Sequence, residues 1–278
     1  MLVLDGSRLA RERTPRLAAK AQEVLRRRGR PPSLLLLAFG DDGHAAHVNR
    51  KLAAAAAVGV SVVPLILPTS TTTEAAAGAL RRTMQQAAPD AVFLQVPFPP
   101  HVSELELARE IPAASDVDTM NPAVADRYFE IGDVPPPVTV TAALLLFDAF
   151  AVSIAGTMGV VIADLSPFSR MFCEALLRHG AHSVALVPPD SSDLNRHLEQ
   201  ASLVVVSVGK PGVLDAARIA PGSIIVDVGY FNPGGRGDVD TRQGTEHLAA
   251  LSPVPGGIGP MTVSALLERT IEFALPDP

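Results

Sequence analysis

Short runs of β-branched residues and leucine, each closed by Gly, Pro or Asp, alternate along the chain with longer Ala/Leu/Arg stretches whose apolar residues recur at helical spacing. This alternation leaves few architectures open. Strands separated by helices are brought side by side in parallel, so the chain is expected to be α/β with a parallel sheet. Strands are expected at residues 33–39, 60–67, 91–96, 159–163, 183–187, 203–208 and 223–228. Helices are expected at 8–28, 45–58, 73–88, 102–111, 141–150, 169–179 and 262–275.

A length of 278 residues suits one large or two ordinary domains. Pro135-Pro136-Pro137 supplies the punctuation, since each proline lacks a donor and restricts the residue before it, and the domain break is expected just after it. With 47% hydrophobic and 19% charged residues the chain has a core to bury, and its single cysteine excludes an internal disulfide. That residue, Cys173, reads as a small core side chain. A net charge of -6 lacks the basic surplus that a nucleic-acid backbone demands, so no nucleic acid is expected as a partner. Arg26, Arg27, Arg28 and Arg30 read as the solvated end of a helix. The longest apolar runs, 34–39 and 142–147, fall far short of the ~20 residues of a spanning helix. Asp5 and Gly6 interrupt the start too soon for a signal-peptide core, so a cytoplasmic protein without membrane contact is expected.

Lys20, Lys51 and Lys210 are the only lysines, against 20 arginines. Arginine stays protonated, whereas a lysine partly removed from water can lose its proton near neutral pH, which makes the few lysines candidates for acid–base work. Lys51 shares a helix face with His47 at i, i+4, a spacing that equally describes a solvated face. Gln95 opens Gln95-Val96-Pro97-Phe98-Pro99 at the end of an apolar strand, where parallel sheets present groups to ligands. A neutral amide there can hold an amine without fixing its charge. Asp116 and Asp118 stand at i, i+2 in a loop, a spacing that serves a metal, a guanidine-like ligand edge or simply a turn. Residues 252–262 contain three glycines and three prolines, a lack of bulk that lets backbone approach a flat ligand and lead into a helix.

Four stretches occur in order: His47-Val-Asn-Arg-Lys51, Gln95-Val-Pro-Phe-Pro99, Ser115-Asp-Val-Asp-Thr119 and Pro253-Val-Pro-Gly-Gly-Ile-Gly-Pro-Met-Thr262. With Val226-Asp227-Val228-Gly229 and Gly237-Asp238-Val239-Asp240, they make the chain resemble, from end to end, the bifunctional methylenetetrahydrofolate dehydrogenase/methenyltetrahydrofolate cyclohydrolase (FolD) family. The resemblance implies that Lys51 is the catalytic amine, that Gln95 holds it and that Asp118 binds the pterin edge. It also implies a folate lined by His47, Pro97, Pro255, Gly256, Gly257 and Pro260. His47 stands where the family stacks a tyrosine, and Thr119 where it has a glycine, so the loop backbone is expected to depart there. Two α/β domains follow, residues 1–140 with the final helix 262–278 and a Rossmann-like 141–261, with the site in the cleft between them. A homodimer built through the second domain is also implied.

The resemblance breaks in the second domain. Where the family carries Gly-Arg-Ser-x-x-Val-Gly, this chain reads Ala163-Asp164-Leu165-Ser166-Pro167-Phe168-Ser169, and no glycine occurs from Val160 to His179. Without glycine, backbone N–H groups come less close to a pyrophosphate, and Asp164 puts an anion where the family's arginine would meet a 2'-phosphate. Pro189 replaces a phosphate-binding serine, although Asp190 could accept from a 2'-hydroxyl as acids of NAD sites do. Residues 137–142 depart in the same direction. Of the cofactor positions Ala163, Asp164, Ser166, Ser169 and Asp190, little NADP binding and weak NAD binding are therefore expected, with no metal. The expected function is hydrolysis of 5,10-methenyltetrahydrofolate to 10-formyltetrahydrofolate, with dehydrogenase activity reduced or lost. Two rivals are a full dehydrogenase/cyclohydrolase with an altered, NAD-using pocket, and a folate-binding protein without turnover.

Overall fold

The structure, a computed structural model, describes residues 1–40, 45–231, 235–242 and 244–275. In chain order its elements are β1 (Leu2–Val3), α1 (Gly6–Arg28), β2 (Ser33–Phe39), α2 (Ala45–Val58), β3 (Ser61–Leu67), α3 (Thr73–Ala87), β4 (Ala91–Leu94), α4 (Glu104–Arg109), α5 (Pro122–Glu130), α6 (Val138–Ala149), β5 (Met158–Ala163), α7 (Pro167–Arg178), β6 (Ser183–Val187), α8 (Leu194–Gln200), β7 (Leu203–Ser207), β8 (Leu214–Asp215), β9 (Ile224–Asp227), β10 (Val239–Asp240), β11 (Ala250–Leu251) and α9 (Ile258–Phe273). The chain divides into two units, Met1–Arg11 with Thr139–Thr262 and Glu12–Val138 with Val263–Pro278. No helix among the described residues is long and apolar enough to cross a membrane.

The unit around Glu12–Val138 holds a parallel sheet in the order β3-β2-β4. Strand β2 lies in the centre because its leucines are apolar towards both faces, and all seven of its residues are buried. Leu35, Leu37 and Phe39 pack with Ala76 and Leu80 of α3 and with Leu107 and Ile111. Strand β3 forms an edge and carries Pro64, which only an edge tolerates without losing a ladder bond.

The other unit holds a six-stranded sheet, β1-β11-β9-β7-β5-β6, parallel throughout. The two-residue period of β5 builds a core on each face. Val161 and Ala163 meet Phe147 and Phe172, while Val160 and Ile162 meet Leu194 and Leu198. Chain order reverses at β5, whose neighbours are β6 on one side and β7 on the other, so the loops after β5 and β7 flank the switch point where such sheets receive ligands.

Several expectations need correction. Residues 1–11 were expected with the first domain but belong to the six-stranded unit. The Leu2 N–H donates to the Ala249 carbonyl at 2.7 Å and the Leu4 N–H to Leu251 at 2.9 Å, with Leu4 fully buried. Helix α9 starts at Ile258 rather than at Thr262, because Pro260 falls in the first turn, where a missing N–H costs nothing. Helices α6 and α7 likewise start before 141 and 169, the second with Ser166 as N-cap and Pro167 in the first turn. Helices α5 and α8 and the short strands β1, β8, β10 and β11 were not expected at all.

Gly6 is closely enclosed, since a Cβ there would stand 1.9 Å from the Gly257 carbonyl oxygen, whereas one at Gly259 would meet nothing within 4 Å. Gly6→Ala should therefore cost about 1–3 kcal/mol of stability or more, and Gly259→Ala should be neutral or slightly stabilising. Urea unfolding of the two variants checks this; equal midpoints would show that the backbone yields at Gly6.

Candidate functional site

In the Glu12–Val138 unit, β4 ends at Leu94 and the next N–H, that of Gln95, still donates to the Leu37 carbonyl at 2.8 Å. The Gln95 backbone is thus fixed to the end of the sheet. Its amide NH2 donates to the Val96 carbonyl at 2.6 Å, which turns the amide oxygen towards α2. There the Lys51 Nζ donates to Gln95 Oε1 at 2.5 Å and lies 5.6 Å from the centre of the Phe93 ring. Burial leaves Lys51 9% exposed. That burial, helped by the charge of Arg50 and opposed by Asp118, brings its pKa down to about 8. The loop that follows is anchored by Phe98, whose ring packs edge-on against Phe39 at 5.4 Å, and Pro97 within it is exposed.

The pair Asp116 and Asp118 divides its labour. Asp116 turns inward and accepts the N–H groups of Asp118, Met120 and Asn121 at 3.3, 3.1 and 2.8 Å, which makes it the turn former. Asp118 Oδ1 accepts the N–H of Val138, the first residue of α6, at 2.7 Å. Its other oxygen has no hydrogen-bond partner among the described residues. Burial pushes the Asp118 carboxyl up to about 7 against the pull of that N–H and of the Arg269 and Lys51 charges. Thr119 adopts φ of +55°, the left-handed region that glycine favours, and its Oγ1 donates to the Pro135 carbonyl at 2.7 Å. A β-branched residue thus takes the left-handed position and is tied down by its hydroxyl. His47 lies in α2, and its side chain is outside the described residues.

The remaining candidates belong to the six-stranded unit. Pro255 is exposed and Gly256 takes φ of +111°, while Pro260 stands in the first turn of α9. The Gly256 carbonyl accepts the Ser7 N–H at 2.7 Å, and a Cβ at Gly257 would stand 2.7 Å from the Pro253 oxygen. Low bulk in this loop therefore already serves its own close packing against the start of α1.

The turn after β5 is filled by its own side chains. Ala163 is fully buried at the strand end. Ser166 Oγ accepts the Ser169 N–H at 3.4 Å as the N-cap of α7, and the Arg170 N–H goes to the Ser166 carbonyl. Asp164 Oδ1 accepts the Ser166 N–H and the Ser169 hydroxyl, each at 3.2 Å. Partial burial opposes ionisation of Asp164, yet the bonds from Ser166 and Ser169 together hold its carboxyl below the usual range. Ser169, at 1% exposure, is committed to the interior, and Asp190 is exposed in the turn after β6. At this helix start a carboxylate of the chain thus already takes two donors of the kind that a pyrophosphate uses. Among the described residues no group of three or more His, Cys, Asp and Glu could hold a metal.

Sequence reasoning missed Phe93, the Val138 N–H and Arg269, whose Nη1 donates to the carbonyls of Val117 at 2.9 Å and Pro136 at 2.8 Å. A lone arginine on an apolar helix face was the one available signal for the last.

The family model for the tetrahydrofolate dehydrogenase/cyclohydrolase catalytic domain matches residues 4–118, and that for its NAD(P)-binding domain matches residues 137–276. The bifunctional protein FolD of Synechococcus sp. (strain RCC307) is 34% identical over 285 residues, covering 99% of this chain and 97% of that one. FolD 1 of Streptomyces avermitilis is 33% identical over 98% of this chain and 94% of its own. Among solved structures, the Trypanosoma brucei methylenetetrahydrofolate dehydrogenase-cyclohydrolase, complexed with NADP and an inhibitor, superposes with a TM-score of 0.89 at 27% identity, covering 98% and 97% of the two chains. The Campylobacter jejuni enzyme gives 0.87 at 27% identity, covering 99% and 98%.

The raised Asp118 carboxyl has a consequence for stability. From its ordinary 3.8 up to about 7 the folded chain holds a proton that the unfolded chain has lost, so this group's contribution is full at low pH and falls as pH rises through that window. Asp118→Asn should gain stability relative to the parent between about pH 5 and about pH 8. Urea unfolding at both pH values measures it, and a pH-independent difference would remove the shift.

Proposed function

Since the chain belongs to the tetrahydrofolate dehydrogenase/cyclohydrolase family, we propose that it hydrolyses 5,10-methenyltetrahydrofolate to 10-formyltetrahydrofolate at Lys51, with dehydrogenase activity reduced or lost. The observation that carries this reading is the 2.5 Å bond between Lys51 and Gln95, beside an amine whose pKa is near 8. An amine poised there passes protons in both directions near neutral pH. Water adds to the bridge carbon and loses one proton, giving a neutral hydroxyl adduct. The bond from that carbon to N5 then breaks as N5 takes a proton and the adduct's hydroxyl gives up its own, which leaves the N10-formyl group and one proton released overall. Lys51 serves these transfers, and the neutral Gln95 amide holds it in either protonation state. Asp118 receives the amide and amino donors of the pterin through its unpartnered oxygen, a charge-assisted pair. His47 and Pro97, in the unit that carries Lys51, line the substrate in this reading, and the part given to Pro255, Gly256, Gly257 and Pro260 rests on the family motif alone.

Hydrolysis needs no nicotinamide, and the filled turn after β5 supports its loss. The match to an NAD(P)-binding domain model favours the rival, a complete dehydrogenase/cyclohydrolase. Two spectrophotometric traces separate them: decay of methenyltetrahydrofolate, and formation of NADH or NADPH from methylenetetrahydrofolate. The first without the second is expected, and equal competence in both would reinstate the rival.

Lys51→Ala should lower hydrolysis at least ~100-fold with little loss of stability, and Lys51→Arg should not restore it, because arginine keeps the charge but cannot release its proton. Turnover by the arginine variant at the parent's rate would overturn the role.

Calorimetric titration tests the cofactor half. No NADP binding is expected at low micromolar concentration, with weak NAD binding at best. Asp164→Arg alone should bring no gain, because Ser166 and Pro167 still close the turn. Heat of NADP binding to the parent at low micromolar concentration would show that the loop opens.

A further inference from the structure

Arg269 sits on α9, 5% exposed, far along the chain from Lys51, Gln95 and Asp118. Its Nη1 donates to the Val117 carbonyl, the residue before Asp118, and to the Pro136 carbonyl, two residues before the Val138 N–H that holds Asp118. The Thr119 hydroxyl reaches the Pro135 carbonyl alongside. Two direct bonds and the two-bond bridge of Arg269 thus join residues 117–119 to the segment 135–138, and Arg269 is the one cation among their members. Burying a guanidinium against two carbonyls costs more than a neutral donor would, so the charge calls for a use.

We infer that Arg269 is a positioning residue for the Asp118 carboxylate, fixing the two segments that frame it and favouring its ionised form for the donors of the pterin edge. The inference rests on the folate reading for its ligand, but its geometry and charge stand without it. The groups that face Asp118 are Asp116 on its own loop, Lys51 on α2 and Arg269 on α9; those that face Arg269 are Asp118, Glu272 and Asp116. Of the cations, Arg269 counteracts the effect of burial on Asp118 more than Lys51 does.

The test uses the full chain with carboxyl-13C aspartate, the Asp118 signal being assigned by its absence in Asp118→Asn. In Arg269→Met and Arg269→Gln the Asp118 titration should move up by about one pH unit, and the KM for methenyltetrahydrofolate should rise about tenfold with kcat within about threefold. Arg269→Lys, which keeps a cation, should recover most of the titration. Should the methionine variant fail to fold, the glutamine variant carries the test, since its amide can still serve a carbonyl. An unmoved titration with only a lower Tm would mean a purely structural arginine and overturn the inference. So would a moved titration with KM unchanged. If the parent itself does not hydrolyse the substrate, the folate reading fails, while the NMR titration still decides whether Arg269 governs Asp118.

Discussion

Single carboxylates seated among backbone N–H groups hold this structure together at its strand ends. Asp238, fully buried, accepts the N–H groups of Val208, Gly209 and Lys210 after β7 at 2.6, 3.2 and 2.8 Å. Asp227, at the end of β9, accepts those of Gly229, Asp238 and Val239, and Asp116 does the same for its own loop. Each replaces water for three donors at once, which is how irregular backbone is buried without orphaned groups. Burial still pushes Asp227 up to about 6 and raises Asp116, so desolvation outweighs even three donors. Close approach is part of the same arrangement: a Cβ at Gly237 would stand 2.0 Å from the Asp227 oxygen.

What the sequence disclosed follows from how local each signal is. Strands β2 and β6 and helix α2 stand at the expected boundaries, because their apolar runs are bounded by Gly, Pro or polar residues within the element's own neighbourhood. Two-residue strands such as β1 and β11 carry no period, and only their pairing defines them. The starts of α7 and α9 lie two and four residues before the expected ones, each with proline in the first turn, where its missing N–H has no helical partner to lose and so leaves no apolar period to mark the opening.

Site chemistry was legible in unequal parts. The scarcity of lysine drew attention to Lys51, and the end of an apolar strand to Gln95, and the structure joins the two. Which of Asp116 and Asp118 is the turn former was undecidable from an i, i+2 spacing, because it depends on which carboxylate meets backbone and which meets α6. Arg269 and Phe93 acquire meaning only through partners distant in sequence. Burial moves Lys51 and Asp118 in opposite directions, to about 8 and about 7, so two groups whose ordinary values differ widely come to titrate within the same narrow range.

The turn that opens α7 carries its counter-ion within the chain. Asp164 is joined to Ser166 and Ser169 by covalent tether, so its local concentration at that helix end is set by geometry and does not vary with the solution around it. A dissolved anion competes against a resident that never diffuses away, and its apparent affinity falls by the fraction of time the resident stands aside. Selectivity at such a terminus is consequently a matter of occupancy, and raising the concentration of a free anion shifts it only in proportion, while one rotation of the aspartate side chain changes it at a stroke.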